Sequence, residues 1–403
     1  MPPALFVALP ALDEYDFLPK TLDSIAAQHT SAKFEVFVCV NQPDSYWHNP
    51  DKKEVCHNNA KTLHFLNNYE KLTLHIIDKC SPGLGWEVKK SGVGFARKIL
   101  MDTILEKCSC DDIIISLDAD TLLEPTYFQS VYDNFTVNRH INAISVPYYH
   151  KIDGCSEENA RAVLRYEIYM RNYLINLLKI KSPYSFTALG SAIAVKACAL
   201  SKIGGITPYQ SGEDFYLLQK IAKMGGLSIF NTDCVYPSPR VSNRVPFGTG
   251  PAVGMGISGG WKSYPVYHHS AFAPIGEAYC NLRRLYDNEP GAEKNMFLEF
   301  VAKRSRNTGV WMGIRGNVTD YQHFEKAFHQ KANGLRILQF VRARHSEQGL
   351  SDEASLLDNL RLWFPGRKLT SDHFNFKTSP VDEINHLRDS LFMEEMRLRS
   401  ANR

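Results

Sequence analysis

At 403 residues, with 44% hydrophobic and 22% charged content, the chain has the make-up of an ordinary globular protein with room for two domains. Its 46 basic and 43 acidic side chains leave a net charge of +3, too little to argue for a nucleic-acid partner. Nine cysteines without a Cys-x-x-Cys pair fit reduced, buried thiols in a cytoplasmic protein, and Cys108 and Cys110 stand too close together for common zinc spacing.

Residues 3–12 are apolar, but they lack a basic flank, are interrupted by prolines and run straight into Asp13 and Glu14. They read as a first strand rather than a secretory leader. No apolar run approaches the ~18 residues of a membrane span, and the sequons at Asn134 and Asn317 carry little weight without a leader. Helical spacing follows at Phe17, Leu18, Leu22, Ile25 and Ala26, and residues 34–40 form a second buried strand that ends at Asn41. Residues 46–59 are polar and read as a surface excursion, residues 59–69 as a helix, and residues 72–77 as a third strand.

Gly83, Gly85, Lys89, Lys90, Gly92 and Gly94 then precede a helix over 95–102. Backbone amides and cations at a helix start suit a diphosphate, whereas a plain glycine turn is the commoner use of such residues. Residues 113–117, Ile-Ile-Ile-Ser-Leu, read as a strand buried on both faces and end in Asp118-Ala-Asp120. Buried carboxylates without partners would cost many kcal/mol, so both belong at the strand's carboxyl edge, where open α/β sheets keep their ligands. Two carboxylates one residue apart can hold a divalent cation together with phosphate oxygens, or can simply open a turn. A helix to residue 135 and a strand over 143–147 follow. This alternation of strand and helix predicts a doubly wound α/β sheet.

Residues 157–180 read as one long helix with a tyrosine-rich stripe, of the kind that is more often core than ligand platform. A strand over 190–195 leads to Gly204-Gly205 and to Ser211-Gly-Glu213-Asp214, which matches a capping box with Ser211 as N-cap ahead of a helix over 215–224. A carboxylate fixed at such a helix start also suits a general base. Residues 227–229 are strand-like. Residues 237–260 lack periodicity but hold Arg240, Arg244 and many glycines, a loop able to cover a phosphate-bearing substrate. The Gly254/Gly256/Gly259 and Gly256-x-Ser258-x-Gly260 patterns inside it lack the preceding strand that dinucleotide binding or a serine nucleophile requires.

His268 and His269 can offer an imidazole to a metal, though adjacent histidines more often occupy a solvated turn. From residue 275 the sequence predicts helices over 275–287, 292–303, 321–345, 351–362 and 381–399. The last is amphipathic and arginine-rich; it fits a solvated helix packed on the core, and its pattern also suits a peripheral membrane or partner contact.

These residues together resemble the GT-A glycosyltransferases, most closely the family-2 type, over roughly residues 5–238. The opening turn is Pro10-Ala-Leu-Asp13-Glu14, with Asp13 where that family usually has Asn. Thr21-Leu-Asp-Ser-Ile-Ala-Ala-Gln28 matches its first helix, and Gly92-Val-Gly-Phe-Ala-Arg97-Lys98 its glycine-led helix start. Asp118-Ala-Asp120 is its DxD motif, and Gly204-Gly205 with Glu213-Asp214 follows in the expected order; Asn41 departs from the aspartates that commonly end the second strand. No Gln-x-x-Arg-Trp signature follows, so the resemblance is not to processive synthases.

The resemblance implies a GT-A-type mixed sheet flanked by helices as a catalytic domain over 1–250, and a mainly helical, acceptor-binding region over 251–403. It implies a nucleotide-diphosphate sugar donor contacted by Pro10, Glu14, Asn41, Arg97 and Asp118, with Arg240 and Arg244 over the phosphates. Mn²⁺ or Mg²⁺ would be held by Asp120 and Asp118, with His268 as a further candidate. Asp214 would be the base, assisted by Glu213, in an inverting, non-processive transfer to a carbohydrate, lipid-linked or small-molecule acceptor. A sugar-phosphate nucleotidyltransferase and a catalytically silent module of the same fold are the rival expectations. The first normally opens with a glycine-rich loop after strand one, and this chain has Pro10–Glu14 there.

Overall fold

The computed structural model describes residues 2–210, 212–242 and 249–402. The chain divides into two compact units. The first takes residues 1–159, 187–254 and 402–403, and the second takes 160–186 and 255–401.

The first unit is built on a seven-stranded sheet of β1 (Leu5–Ala11), β2 (Phe34–Asn41), β3 (Leu74–Lys79), β4 (Ile113–Ser116), β6 (Ala143–Ser145), β7 (Ile193–Lys196) and β8 (Leu227–Ser228). Their order is β3-β2-β1-β4-β7-β6-β8, and every strand is parallel to its neighbour except β7, which is antiparallel to both β4 and β6. The expected α/β sheet with helices between its strands is therefore present, as a mixed sheet. All residues of β1 and β4 are buried, which accounts for their near-continuous aliphatic runs. The order turns back at β1, which lies between β2 and β4. The carboxyl ends of β1 and β4 are thus the topological switch point, where such sheets bind ligands.

Helices α1 (Leu18–Ala26), α2 (Lys53–Asn67), α3 (Val93–Leu105), α4 (Tyr127–Val137), α6 (Ala197–Lys202) and α7 (Glu213–Met224) accompany the sheet. A small antiparallel ribbon of β5 (Leu122–Leu123) and β9 (Val235–Tyr236) lies outside it. Two sequence expectations need correction here. The polar excursion over 46–59 is ordered as two 3₁₀ turns and the first half of α2, because Asn49 caps the second turn through its side chain. Helix α7 starts at Glu213, two residues before the expected Phe215 but one later than a Ser211 N-cap requires, with Gly212 at the N-cap in the left-handed region (φ 79°); Ser211 lies outside the described residues. The β5–β9 ribbon and α6 were too short to show in the sequence.

Helix α5 (Glu157–Lys179) starts in the first unit and continues into the second. The second unit is otherwise helical. Helix α8 (Thr249–Ile257) spans the boundary, and α9 (Ala273–Cys280), α10 (Leu282–Tyr286), α11 (Met296–Arg304), α12 (Val310–Gly316), α13 (Tyr321–Lys331), α14 (Gly334–Gln348), α15 (Asp352–Trp363) and α16 (Val381–Ala401) follow. The single helix expected over 321–345 is two. Asn333 ends the pattern by capping α14, its Oδ1 accepting from Arg336 N at 3.2 Å. The aperiodic stretch 237–260 contains α8. The tight approach of Gly256 to Trp261, whose ring lies 2.2 Å from where a Cβ would sit, explains that glycine without any nucleophile elbow.

The tyrosine stripe of α5 is packed ring to ring: Tyr166 and Tyr169 meet Tyr264, and Tyr173 meets Tyr267 and Phe272. Arg388 and Arg399 of α16 are not on a solvated face. Both are buried in an ion network with Glu167, Arg171 and Glu395.

Candidate functional site

The carboxyl edge of β1 and β4 gathers most of the acidic and basic residues singled out in the sequence. Ser116 ends β4, and Asp118 and Asp120 follow in the loop to β5. The loop is pinned from α1, where Thr21 Oγ1 donates to the carbonyl of Ala119 at 2.9 Å. Gln28 fixes the next stretch, with Nε2 donating to Glu124 O (2.8 Å) and Oε1 accepting from Phe128 N (2.8 Å). The Thr21 and Gln28 pattern thus positions the two aspartates, a role the sequence did not reveal.

Arg97, on the second turn of α3, is buried, with 3% of its surface exposed. Its Nε donates to Glu213 Oε1 at 3.0 Å, its Nη1 to Ser116 Oγ (2.5 Å) and Gly190 O (3.0 Å), and its Nη2 to Asp118 Oδ1. All three guanidinium nitrogens are therefore engaged within the protein. Burial works against the Arg97 charge, but Asp118, Glu213 and Asp214 outweigh it and raise its pKa. Gly190 lets this happen, since a Cβ there would stand 2.1 Å from Arg97 Nη2. Gly94 serves close backbone approach in the same way, with Tyr209 O 1.9 Å from its Cβ position. The start of α3 is thereby packed against the 209–210 segment, and these glycines are explained without a diphosphate.

Glu213 and Asp214 open α7. Burial, and then the Asp214 charge, push the Glu213 carboxyl up to about 7, against the opposing pull of Arg97. Asp214 is half-buried, and burial raises its pKa too, with Asp118 adding to the effect while Arg97 opposes it. Its Oδ1 accepts from Phe215 N at 2.7 Å. Asp118, Glu213, Asp214 and Arg97 thus form one electrostatic group, built from β4, α7 and α3.

A second guanidinium organises the β1 side. The β5–β9 pairing (Leu122 with Tyr236) returns the chain so that Arg240 reaches Asp120. Arg240 Nε and Nη2 lie 3.0 and 2.8 Å from Asp120 Oδ2, and Nη2 donates to Glu14 Oε2 at 2.5 Å. The guanidinium also stands 3.8 Å over the Phe17 ring. Pro10 lies in β1, and Asn41 at the end of β2 ties the two strands together by donating to Ala11 O at 3.0 Å.

Arg244 lies outside the described residues. His268 belongs to the second unit, where its Nδ1 is 2.7 Å from Ser270 Oγ and its Nε2 is 3.6 Å from Asp358 Oδ2; burial lowers its pKa. Among the described residues no group of three or more His, Cys, Asp or Glu side chains forms a metal cage, and no helix is long and apolar enough to cross a membrane. The donor set at the edge is oxygen only. Asp118 keeps 35% of its side chain open and Asp120 16%, which suits a hard cation that takes one or two carboxylates and completes its shell with phosphate and water.

No family model matches the chain, and no curated protein matches it. Solved structures do. One is the S. aureus protein TarS, residues 1–349, in complex with UDP-GlcNAc, at 14% identity over 86% of this chain and 92% of that one, with a TM-score of 0.42. Another is the mannosyltransferase PcManGT from Pyrobaculum calidifontis in complex with GDP-Man and Mn²⁺, at 16% identity over 98% and 86% of the two chains, with a TM-score of 0.39. Both likenesses are loose, and neither bears on the roles of the side chains described above.

Proposed function

We propose that the chain is a metal-dependent glycosyltransferase that moves one sugar from a nucleoside-diphosphate donor to an acceptor hydroxyl. One observation carries this function: a buried guanidinium, Arg97, joins Asp118 at the end of β4 to Glu213 at the start of α7, at a topological switch point. Carboxylates suited to the donor side and to the acceptor side thereby share one edge of the sheet.

Asp120 and Asp118 would hold Mn²⁺ or Mg²⁺, which neutralises charge on a leaving diphosphate. Arg240 brings a fixed positive charge to Asp120 and to Glu14. Pro10, Glu14 and Asn41 border the space beyond β1 and β2 and take the nucleotide. Asp214, partly buried at the start of α7 and with its pKa raised by that burial, accepts the proton of the acceptor hydroxyl. Glu213 is deeper and bound to Arg97, so it holds the guanidinium in place, and the Asp214 charge beside it helps raise the Glu213 pKa. Arg97 acts by position, fixing Asp118 and Glu213 relative to each other. Direct attack opposite the leaving group would invert the anomeric centre. The acceptor hydroxyl belongs to a carbohydrate, a lipid-linked sugar or a small molecule.

The test is turnover. The whole protein is incubated with UDP-, GDP-, CDP-, ADP- and dTDP-sugars in Mn²⁺ or Mg²⁺, and products are separated by mass. Release of one nucleoside diphosphate with the sugar on water or an added acceptor supports the proposal. Pyrophosphate chemistry on a sugar phosphate would replace it with a nucleotidyltransferase. Binding without turnover in any acceptor mixture would make the chain a silent module.

A further inference from the structure

We propose that Cys110 and Cys198 form a reversible dithiol–disulfide site, oxidised by small-molecule disulfides. Cys110 lies in the turn between α3 and β4, and Cys198 lies in the first turn of α6, directly after β7. Strands β4 and β7 pair antiparallel, Ile113 opposite Lys196. Beyond the two strands Ala197 N donates to Asp112 O (2.9 Å), and Cys198 N, in the first turn of α6, donates to Cys110 O (3.0 Å). A single N–H···O bond of 3.0 Å keeps the two Cα atoms within about 7 Å of each other by covalent geometry, the outer limit of what a disulfide spans without backbone movement. The two thiols interact directly, and burial together with this neighbour raises the Cys198 pKa.

Access separates this pair from the buried thiols of the β2–β3 side. Cys110 is exposed and Cys198 half-buried, whereas Cys39, Cys56 and Cys80 are buried. The exposed Cys110 thiolate attacks one sulfur of a disulfide such as oxidised glutathione, and one glutathione thiolate leaves. The Cys198 thiolate then attacks Cys110 Sγ and displaces the second. One protein S–S bond forms and one glutathione S–S bond breaks. The two thiol protons of the protein end on two glutathione thiols, so two electrons pass from protein to glutathione. The bridge fastens the start of β4 to the end of β7, the strands whose opposite ends lead to Asp118 and follow Gly190. It closes a long loop in the chain, and such closures stabilise most.

The whole protein is treated with oxidised glutathione, alkylated, and digested without reduction for mass mapping. Expected is a Cys110–Cys198 linked peptide pair, loss of two of the nine alkylatable thiols in the denatured protein, and a Tm higher by several degrees that dithiothreitol reverses. Cys110→Ser and Cys198→Ser should each lose the linkage and the Tm rise, and Cys108→Ser should keep both. A stable glutathione adduct at Cys110, a Cys108–Cys110 linkage, a linkage between two copies of the chain, or an unchanged thiol count would overturn the proposal.

Discussion

The first unit and the second both bury arginine–carboxylate clusters, but they finish them differently. In the second unit Arg171 meets Glu167 and Glu395, Arg388 meets Glu167, and Arg399 meets Glu395, every member being 0–1% exposed. That cluster is largely closed: three guanidinium groups share two buried carboxylates, with Arg388 also reaching out to the partly exposed Asp389, and its work is to join α5 and α16. At the sheet edge Arg97 is equally buried, yet its partner Asp118 is 35% exposed, and Asp214 beside it is half-buried. That cluster is anchored at one end and open at the other. A closed network offers a ligand nothing, whereas an anchored carboxylate with an open side is positioned for chemistry.

The sharpest way to break this contrast is at Asp214. Asp214→Asn should cut transfer by about 10²-fold or more while donor binding persists, as loss of a general base does; near-normal rates in a kcat measurement would remove Asp214 from that role. Next in size is Arg171→Met in the closed network. It strands Glu167 and Glu395 without their shared cation and should destabilise the fold by about 3–5 kcal/mol in denaturant melts. Replacing all five members with apolar residues of similar volume should recover much of the loss, which the open cluster could not do without losing function.

A smaller effect is expected from Gly190→Ala, whose added methyl must displace Arg97 Nη2 from 2.1 Å. Overpacking of this kind costs about 1–3 kcal/mol, and here it should also weaken donor binding; a stability loss with intact donor affinity would show that Arg97 does not position Asp118 for the ligand.

The smallest signal is the pH dependence of Glu213. Its folded pKa is raised from 4.5 to about 7, so the folded state holds the proton more tightly than the unfolded chain. The stability it contributes is full below pH 4.5 and is lost as pH rises through about 7. Glu213→Gln keeps an acceptor for Arg97 but removes this slope, so the variant should gain on the wild type across that window. Parallel stability profiles would contradict the raised value.

The sheet was legible because its strands are aliphatic runs separated by helical spacing, and the two aspartates because they interrupt the most apolar of those runs. The antiparallel setting of β7 was not, since Ile193–Lys196 reads the same in either direction. Arg97 was visible, but as a nucleotide contact; its partners Ser116, Gly190 and Glu213 are far apart in the chain and meet only through the fold. Arg240 was noticed for its charge, while the two-residue β5–β9 ribbon that brings it to Asp120 is below the length at which periodicity can be read. The buried ion network of the second unit was hidden by its composition, because arginines on an amphipathic helix look the same facing solvent or facing glutamates.

The most direct test of the open edge is a thermal-shift series with UDP, GDP, CDP, ADP and dTDP, with and without Mn²⁺, on the wild type and on Asp120→Ala. A ligand at ~100 times its Kd stabilises a fold by about 2.7 kcal/mol, which is readable as a Tm change. One nucleoside diphosphate should raise the Tm of the wild type only with metal present, and should fail to do so with Asp120→Ala. An equal shift in the variant, or no shift with any of the five, would contradict a metal–diphosphate site at the end of β4.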